Sequence, residues 1–163
     1  MKQLRNIIDK AMRSLCAVAM AALTLLVIWQ VFTRYILNHP STWSEELAAY
    51  MFAWVTVFGA AYVFGKREHM NIPVIVERFS SVHQNSLQIL AEILNLIFAL
   101  TVMVYGGFEI TKLTMGQLSS SLPLQMGYFY MCIPISGIFI ALYSVLNIKD
   151  LIDARKNIVE EED

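Results

Sequence analysis

The chain has 163 residues, of which 57% are hydrophobic and 15% are charged, and its formal net charge is −1. Soluble domains usually carry about 25% charged residues, so the composition argues against a soluble domain. Charge-free runs cover residues 14–33, 47–65, 93–108 and 113–148. A membrane-spanning helix needs about 20 mostly apolar residues, and the last run is long enough for a loop and a helix. The sequence therefore predicts four spans and an all-α integral membrane protein.

The four spans are predicted within a single membrane domain over residues 1–163. We place them at about 14–35, 46–65, 87–109 and 127–148, where the apolar runs lie. The apolar run of the first span is longer than the roughly 7 to 15 residues of a signal-peptide core, and no small-residue cleavage site follows it. We therefore expect an uncleaved first helix. The basic, amphipathic segment before it either lies flat on the membrane or continues into the span.

Lysine and arginine residues are concentrated on one side of this arrangement. Four precede the first span, three lie between residues 66 and 86, and three follow the fourth span. The two opposite loops hold one each, Arg34 and Lys112. Short cytoplasmic loops of membrane proteins carry the excess of positive residues. The bias of ten against two predicts an inner-membrane protein whose two termini and middle loop are cytoplasmic.

The middle loop contains an amphipathic pattern of its own. Ile72, Ile75, Val76 and Phe79 recur at helical spacing, with charged residues between them. This pattern predicts a short helix at about 72–80 on the cytoplasmic membrane surface.

Local signals also mark helix starts and irregular segments. Thr42 and Glu45 have the spacing of a capping box, so Thr42 is predicted to be the N-cap of the second helix. We expect the loop from Met115 to Met126 to be largely irregular. We expect the acidic tail, residues 157–163, to be solvated and disordered.

Small side chains form narrow stripes on three of the predicted helices, and such stripes let membrane helices approach closely. In the second helix the stripe is Ala49, Ala53, Thr56 and Ala60, beside a broad aromatic face of Tyr50, Trp54, Phe58 and Tyr62. The other stripes are Ser14, Ala17, Ala21 and Thr24 in the first helix and Pro134, Gly137, Ala141 and Ser144 in the fourth. We expect the small stripes to pack on a neighbouring helix and the aromatics to face lipid, or else a partner protein.

The third helix gathers polar residues, including Glu92 and Asn95, on one face. An ionisable group within a span is costly and normally faces protein or water. Because Glu92 lies near the predicted cytoplasmic end of its helix, its carboxyl group either reaches the headgroups or meets a partner inside the membrane. The sequence leaves both interpretations open.

The first hairpin concentrates charge on the opposite, predicted outer side. Arg34 ends one arm of the hairpin, and Trp43, Glu45 and Glu46 begin the other. Carboxylates in a first helical turn are stabilised by the helix dipole, and Trp43 suits an interfacial belt. The alternative hypothesis is that Arg34, Glu45 and Glu46 form ion pairs, within this subunit or with a partner.

The histidines and cysteines of the chain are not arranged for catalysis or for holding a cofactor. The three histidines, His39, His69 and His83, lie outside them, which argues against intramembrane haem, and no spacing suggests a zinc site. Cys16 and Cys132 lie near opposite membrane faces, too far apart for a disulfide. We expect no catalysis, no cofactor, no substrate site and no nucleic-acid partner. A small homo-oligomeric carrier or channel stays an alternative, although such carriers use an acidic residue well inside a span.

Several segments match one known family in their order and spacing. They are Arg34-Tyr35, Trp43-Ser44-Glu45-Glu46-Leu47, Phe52-Ala53-Trp54-Val55, Phe58-Gly59-Ala60-Ala61, His69-Met70-Asn71-Ile72, and Tyr130 with Ile133-Pro134. Together they resemble the small membrane subunit of tripartite ATP-independent periplasmic (TRAP) transporters over nearly the whole chain.

The resemblance implies a three-part uptake system for an organic acid, such as sialic acid or a C4-dicarboxylate. In such a system a periplasmic binding protein captures the acid, and a large membrane subunit moves it inward with a sodium gradient. This chain would be the accessory subunit, in an obligate heterodimer with the large one. We predict that the two meet through these residues: Arg34, Trp43, Glu45, Glu46, Ala49, Ala53, Thr56, Ala60, Glu92, Asn95, Gly137 and Ala141.

Overall fold

A computed structural model of the protein describes residues 2–66 and 81–162. Its elements are α1 (Lys2–Tyr35), α2 (Thr42–Gly65), α3 (Ser81–Phe98), the π-helix π1 (Ala99–Gly106), α4 (Gly107–Thr114), α5 (Met126–Tyr130) and α6 (Cys132–Glu162). The surface helix predicted at about 72–80, with Ile72, Ile75, Val76 and Phe79, lies outside the described residues.

Four helical stretches are long and apolar enough to cross a membrane. They are Arg5–Tyr35, Thr42–Gly65, Gln84–Thr114 and Met126–Arg155, called spans one to four below. Span three joins α3, π1 and α4 without a break, and span four contains α5 and most of α6. The prediction of an all-α membrane protein with four spans is confirmed.

The structure settles one helix end that the sequence left open and differs from the prediction at two others. The basic segment continues into span one as a single helix, which decides between the two interpretations that the sequence allowed. The N-cap of α2 is Ser41 rather than Thr42, and no side chain caps this end. The Ser44 hydroxyl donates back to the Ser41 carbonyl at 2.8 Å. At the other terminus α6 remains helical to Glu162 and so includes most of the acidic tail.

Span two lies at the centre of the arrangement. It packs against spans one and four, and span four packs in turn against span three. Buried apolar residues from all four spans form the core, among them Met12, Phe58, Ala99 and Tyr143. Span one lies at the edge, and most of its side chains are exposed, so lipid or another protein must cover them.

The two ends of the bundle differ in what they contain. The first, which we call the terminal end, brings Arg5 of span one next to Gly65, Asn147 and Asp150. The second, which we call the hairpin end, holds the turn at 36–41 and the loop at 115–125.

Candidate partner interface

The hairpin end carries the charged residues that the sequence singled out. The Arg34 guanidinium lies 3.5 Å from the Glu45 carboxylate, and both side chains are about half exposed. An ion pair this exposed contributes little to stability because water screens it. The predicted pairing therefore holds for Arg34 and Glu45, and both groups remain accessible to a partner. Trp43, at the start of the second arm of the hairpin, is also accessible, with 43% of its surface exposed.

Glu46 has a different role from its neighbour. Its carboxylate accepts hydrogen bonds from the Ser120 and Ser121 backbone N–H groups, at 3.3 and 2.7 Å, and from the Tyr50 hydroxyl at 3.0 Å. Ser120 and Ser121 lie in the loop between spans three and four, and Tyr50 lies one turn further along α2 than Glu46. Glu46 thus ties the two hairpins together instead of joining an ion pair with Arg34.

The aromatic face of span two packs against other spans of the protein, with Phe58 buried and Tyr50, Trp54 and Tyr62 half-buried. The rings of Tyr50 and Phe129 stack with centroids 3.8 Å apart, and the Trp54 indole N–H donates to the Phe129 carbonyl at 2.9 Å. Phe58 is buried against Phe139 of span four. The expectation that these aromatics face lipid or a partner is wrong, because they form the contact between spans two and four.

The small-residue stripe of span two occupies the outward surface instead. Ala49, Ala53 and Thr56 are exposed and Ala60 is half-buried. Ala49 and Ala53 line an apolar groove of about 330 Å³ between spans two and four. A second groove of about 380 Å³ runs between spans one, two and four on the opposite flank of the aromatics. Within the membrane this stripe is a surface on which another helix could approach closely.

The small stripe of span four is used within the chain. A Cβ atom on Gly137 would lie 2.7 Å from the Met103 Cβ, so only glycine allows spans three and four this close. Ala141 is 9% exposed and belongs to the core. The structure therefore gives Gly137 and Ala141 neighbours inside the subunit, although the sequence predicts both at the partner interface.

The polar residues of span three also have partners within the chain. Glu92 is 3% exposed, and its carboxyl oxygen accepts a hydrogen bond from the Asn147 side chain at 2.8 Å. Of the two interpretations of Glu92, the buried one is confirmed and the snorkelling one is wrong. Asn95 is half-buried on the same span. Neither presents an exposed surface to a second protein.

Comparison with known proteins places this arrangement in a family. Residues 23–154 match the family model described as the DctQ component of tripartite ATP-independent periplasmic transporters. The chain belongs to this DctQ family.

Curated relatives agree with the family model. The sialic acid TRAP transporter small permease protein SiaQ of Vibrio cholerae is 28% identical over 93% of this chain and 87% of its own length. A putative TRAP transporter small permease protein of Haemophilus influenzae is 26% identical, over 86% and 87% of the two chains. The C4-dicarboxylate small permease DctQ of V. cholerae is 32% identical over 42% of this chain and 29% of its own.

Membership of the DctQ family fixes the class of the protein. The chain is a small permease subunit of a TRAP transporter, a multi-pass protein of the bacterial inner membrane, and not an enzyme. The resemblance to the TRAP small membrane subunit, which the sequence analysis based mainly on residues 34–72 and 130–134, is thereby confirmed.

The terminal end of this DctQ-family subunit holds a polar network that sequence reasoning missed. The Arg5 guanidinium donates to Asp150 at 2.8 Å, to the Gly65 carbonyl at 2.9 Å and to the Asn147 side-chain oxygen at 3.1 Å. Through Asn147 the network reaches Glu92, so all four spans contribute to it. Gly65 is the last residue of α2, and Arg5 therefore caps a carbonyl that the helix end leaves without an intrahelical donor.

Two further contacts join span one to the bundle near this network. The Tyr143 hydroxyl donates to the Asp9 carboxylate at 2.7 Å, and the Arg13 guanidinium donates to the Tyr62 hydroxyl at 3.3 Å. The sequence predicts that the basic segment lies on the membrane surface or continues into span one, and neither interpretation includes contacts with spans two and four. The helical spacing of Arg5, Asp9 and Arg13, at i, i+4 and i+8, is the one signal that could have revealed a polar face directed at protein.

Proposed function

We propose that this chain is the accessory subunit of a sodium-driven importer of an organic acid, in an obligate heterodimer with a large membrane subunit that also works with a periplasmic binding protein. Relatives named for sialic acid and for C4-dicarboxylate support the organic-acid class. We further propose that the stripe formed by Ala49, Ala53, Thr56 and Ala60 is the surface that receives the large subunit.

The exposure of this stripe carries the proposal. Lipid tails are as apolar as leucine, so membrane helices gain from association mainly where small residues permit close packing. The stripe of span four already serves this purpose inside the chain, whereas the stripe of span two faces outward beside an apolar groove. A side chain from a partner helix could fill that groove, and Arg34 and Glu45 would lie at the edge of the contact.

The distribution of charge favours an accessory role for the chain and argues against transport by the chain alone. Spans one, two and four contain long charge-free runs. Glu92 of span three is near the terminal end and is bound to Asn147 rather than open to a pathway. A carrier needs a polar or ionisable site that its substrate or coupling ion can reach within the membrane.

Three exposed threonines offer a matched test of the interface. Thr24, Thr56 and Thr101 lie on spans one, two and three, and each hydroxyl donates to the carbonyl four residues earlier, at 2.9, 2.8 and 2.7 Å. Replacing Thr56 with tryptophan would overpack a close helix contact, and overpacking costs about 1–3 kcal/mol. Since 1.4 kcal/mol is a factor of ten in affinity, we expect roughly tenfold less large subunit to co-purify with Thr56→Trp.

The same substitution at Thr101 is the control, because it adds the same bulk to an exposed position away from the stripe. Co-purification of the large subunit should be retained in Thr101→Trp, and a result for Thr24→Trp tells whether span one belongs to the interface. Equal loss in Thr56→Trp and Thr101→Trp would contradict the assignment of the stripe. Substrate uptake by liposomes that contain this chain alone would instead support a homo-oligomeric carrier.

A further inference from the structure

The loop between spans three and four, residues 115–125, has a surface that the proposed function does not use. Leu118 and Leu124 are 74% and 45% exposed, and Leu113 at the end of span three is 75% exposed. Of the three serines between Leu118 and Leu124, Ser119 is buried, whereas Ser120 and Ser121 are exposed. The loop thus presents two large apolar side chains outward, and the end of span three presents a third.

The charge of this segment points in the same direction. No acidic, basic or histidine residue occurs from Leu113 to Ile148, so the loop is as charge-free as the spans on either side. By contrast, the hairpin end of spans one and two carries His39 in its turn and the exposed Arg34–Glu45 pair.

The backbone of the loop has hydrogen-bond partners within the protein. The Ser119 N–H donates to the Leu124 carbonyl and the Met126 N–H to the Gln117 carbonyl, both at 2.9 Å. Glu46 accepts from the next two N–H groups, those of Ser120 and Ser121. Irregular backbone is tolerated at membrane depth only where its polar groups are satisfied without lipid. Glu46 supplies acceptors that the loop itself does not provide.

We propose that this loop is inserted into the boundary between headgroups and acyl chains of its own membrane, with Leu118 and Leu124 among the lipids. The occupant of the leucine surface is lipid rather than protein, because the loop is continuous with two spans, lacks charge and has two of its backbone N–H groups bound by Glu46. Glu46 is the positioning residue that holds the loop in this place. The proposal depends on the loop alone and holds whether or not the chain binds a large subunit.

Nitroxide accessibility in the full chain tests the location. Leu118→Cys and Leu124→Cys are spin-labelled in a Cys16→Ser, Cys132→Ser background, in liposomes of phosphatidylethanolamine and phosphatidylglycerol. Serine at position 132 keeps a donor for the Phe129 carbonyl that the thiol contacts. The ratio of collisions with oxygen, which concentrates in lipid, to collisions with a water-soluble nickel chelate should be several-fold higher at both positions than at a label on His39→Cys.

Other outcomes overturn the proposal. A nickel accessibility at position 118 equal to that at position 39 would place the loop in water. Protection from both reagents, or a fall in nickel accessibility only after a periplasmic binding protein is added, would make the occupant a protein. Two positions are measured in case one labelled variant fails to fold. Elution of each variant as a monodisperse peak would show that it is folded.

The role of Glu46 has its own control in the adjacent residue. Glu46→Ala removes the acceptors of the Ser120 and Ser121 N–H groups and should raise nickel accessibility at position 118 several-fold. Glu45→Ala removes an equal charge from the same helical turn but leaves the loop contacts intact, so accessibility should stay unchanged. Equal effects of the two variants would show that the negative charge, and not the hydrogen bonds from Ser120 and Ser121 to Glu46, determines the position of the loop.

Discussion

Replacing Asn147 with leucine is expected to lower the free energy of unfolding by about 2 kcal/mol or more. Asn147 is fully buried, and its amide donates to Glu92 at 2.8 Å and accepts from Arg5 at 3.1 Å. A single hydrogen bond between membrane helices is worth well under 2 kcal/mol on average. The larger effect is expected because leucine removes several bonds at once and leaves the buried Glu92 carboxyl without this donor.

A double-substitution cycle separates this cause from a loss of packing. In Glu92→Leu/Asn147→Leu no buried carboxyl remains, so part of the lost stability should return, as when a buried polar pair is replaced by apolar residues. Glu92→Gln keeps an acceptor for Asn147 and should have a smaller effect than Asn147→Leu. Unfolding by sodium dodecyl sulphate, followed by loss of helical circular dichroism, gives the free energies. A double variant less stable than Asn147→Leu would exclude the unsatisfied carboxyl as the cause.

Hydropathy was sufficient to find the four spans, because the length of an apolar run is set by the membrane rather than by this particular fold. It was not sufficient to find their ends. The first apolar run begins at about residue 14, but its helix begins at Lys2, and the last helix continues beyond its apolar run to Glu162. Charged residues such as Arg5 and Asp9 extend the first helix because they have partners on spans two and four, which a hydropathy profile does not contain.

The faces of the helices were harder to predict than the helices themselves. The aromatic side of span two and its small-residue side are both apolar, so either could meet lipid. The structure decides through geometry, since Phe129 and Phe139 of span four supply rings at the right height to stack with Tyr50 and Phe58. That information comes from a segment about 75 residues away and has no trace in the local pattern.

Glu46 and Glu92 illustrate the same limit for charged residues. A carboxylate in a first helical turn has a sufficient local explanation in the helix dipole, so nothing in the sequence near Glu46 points to Ser120 and Ser121. Likewise, position near a helix end cannot tell whether the Glu92 side chain reaches water or another helix. Glu46 finds its partner in the other hairpin and Glu92 finds its partner on the neighbouring span, and only the packed arrangement of the spans brings the groups together.

The expected effect of Gly137→Ala is a loss of about 1–3 kcal/mol in stability, the usual cost of overpacking a close contact. The added methyl group would lie 2.7 Å from the Met103 Cβ and 3.1 Å from the Val104 nitrogen, so spans three and four would have to separate. Backbone atoms and a Cβ cannot move aside as the end of a flexible side chain can.

Gly59→Ala is the matched control within the same bundle. A Cβ at Gly59 meets nothing within 4 Å, and alanine is favoured over glycine in a helix by about 0.5–1 kcal/mol, so stability should stay equal or rise. Equal destabilisation by both variants would contradict close packing at Gly137. The comparison also separates fold from interface, because Gly137→Ala should weaken the subunit while leaving the stripe of span two intact. Thr56→Trp should do the opposite, with a stable subunit that holds roughly tenfold less of its partner.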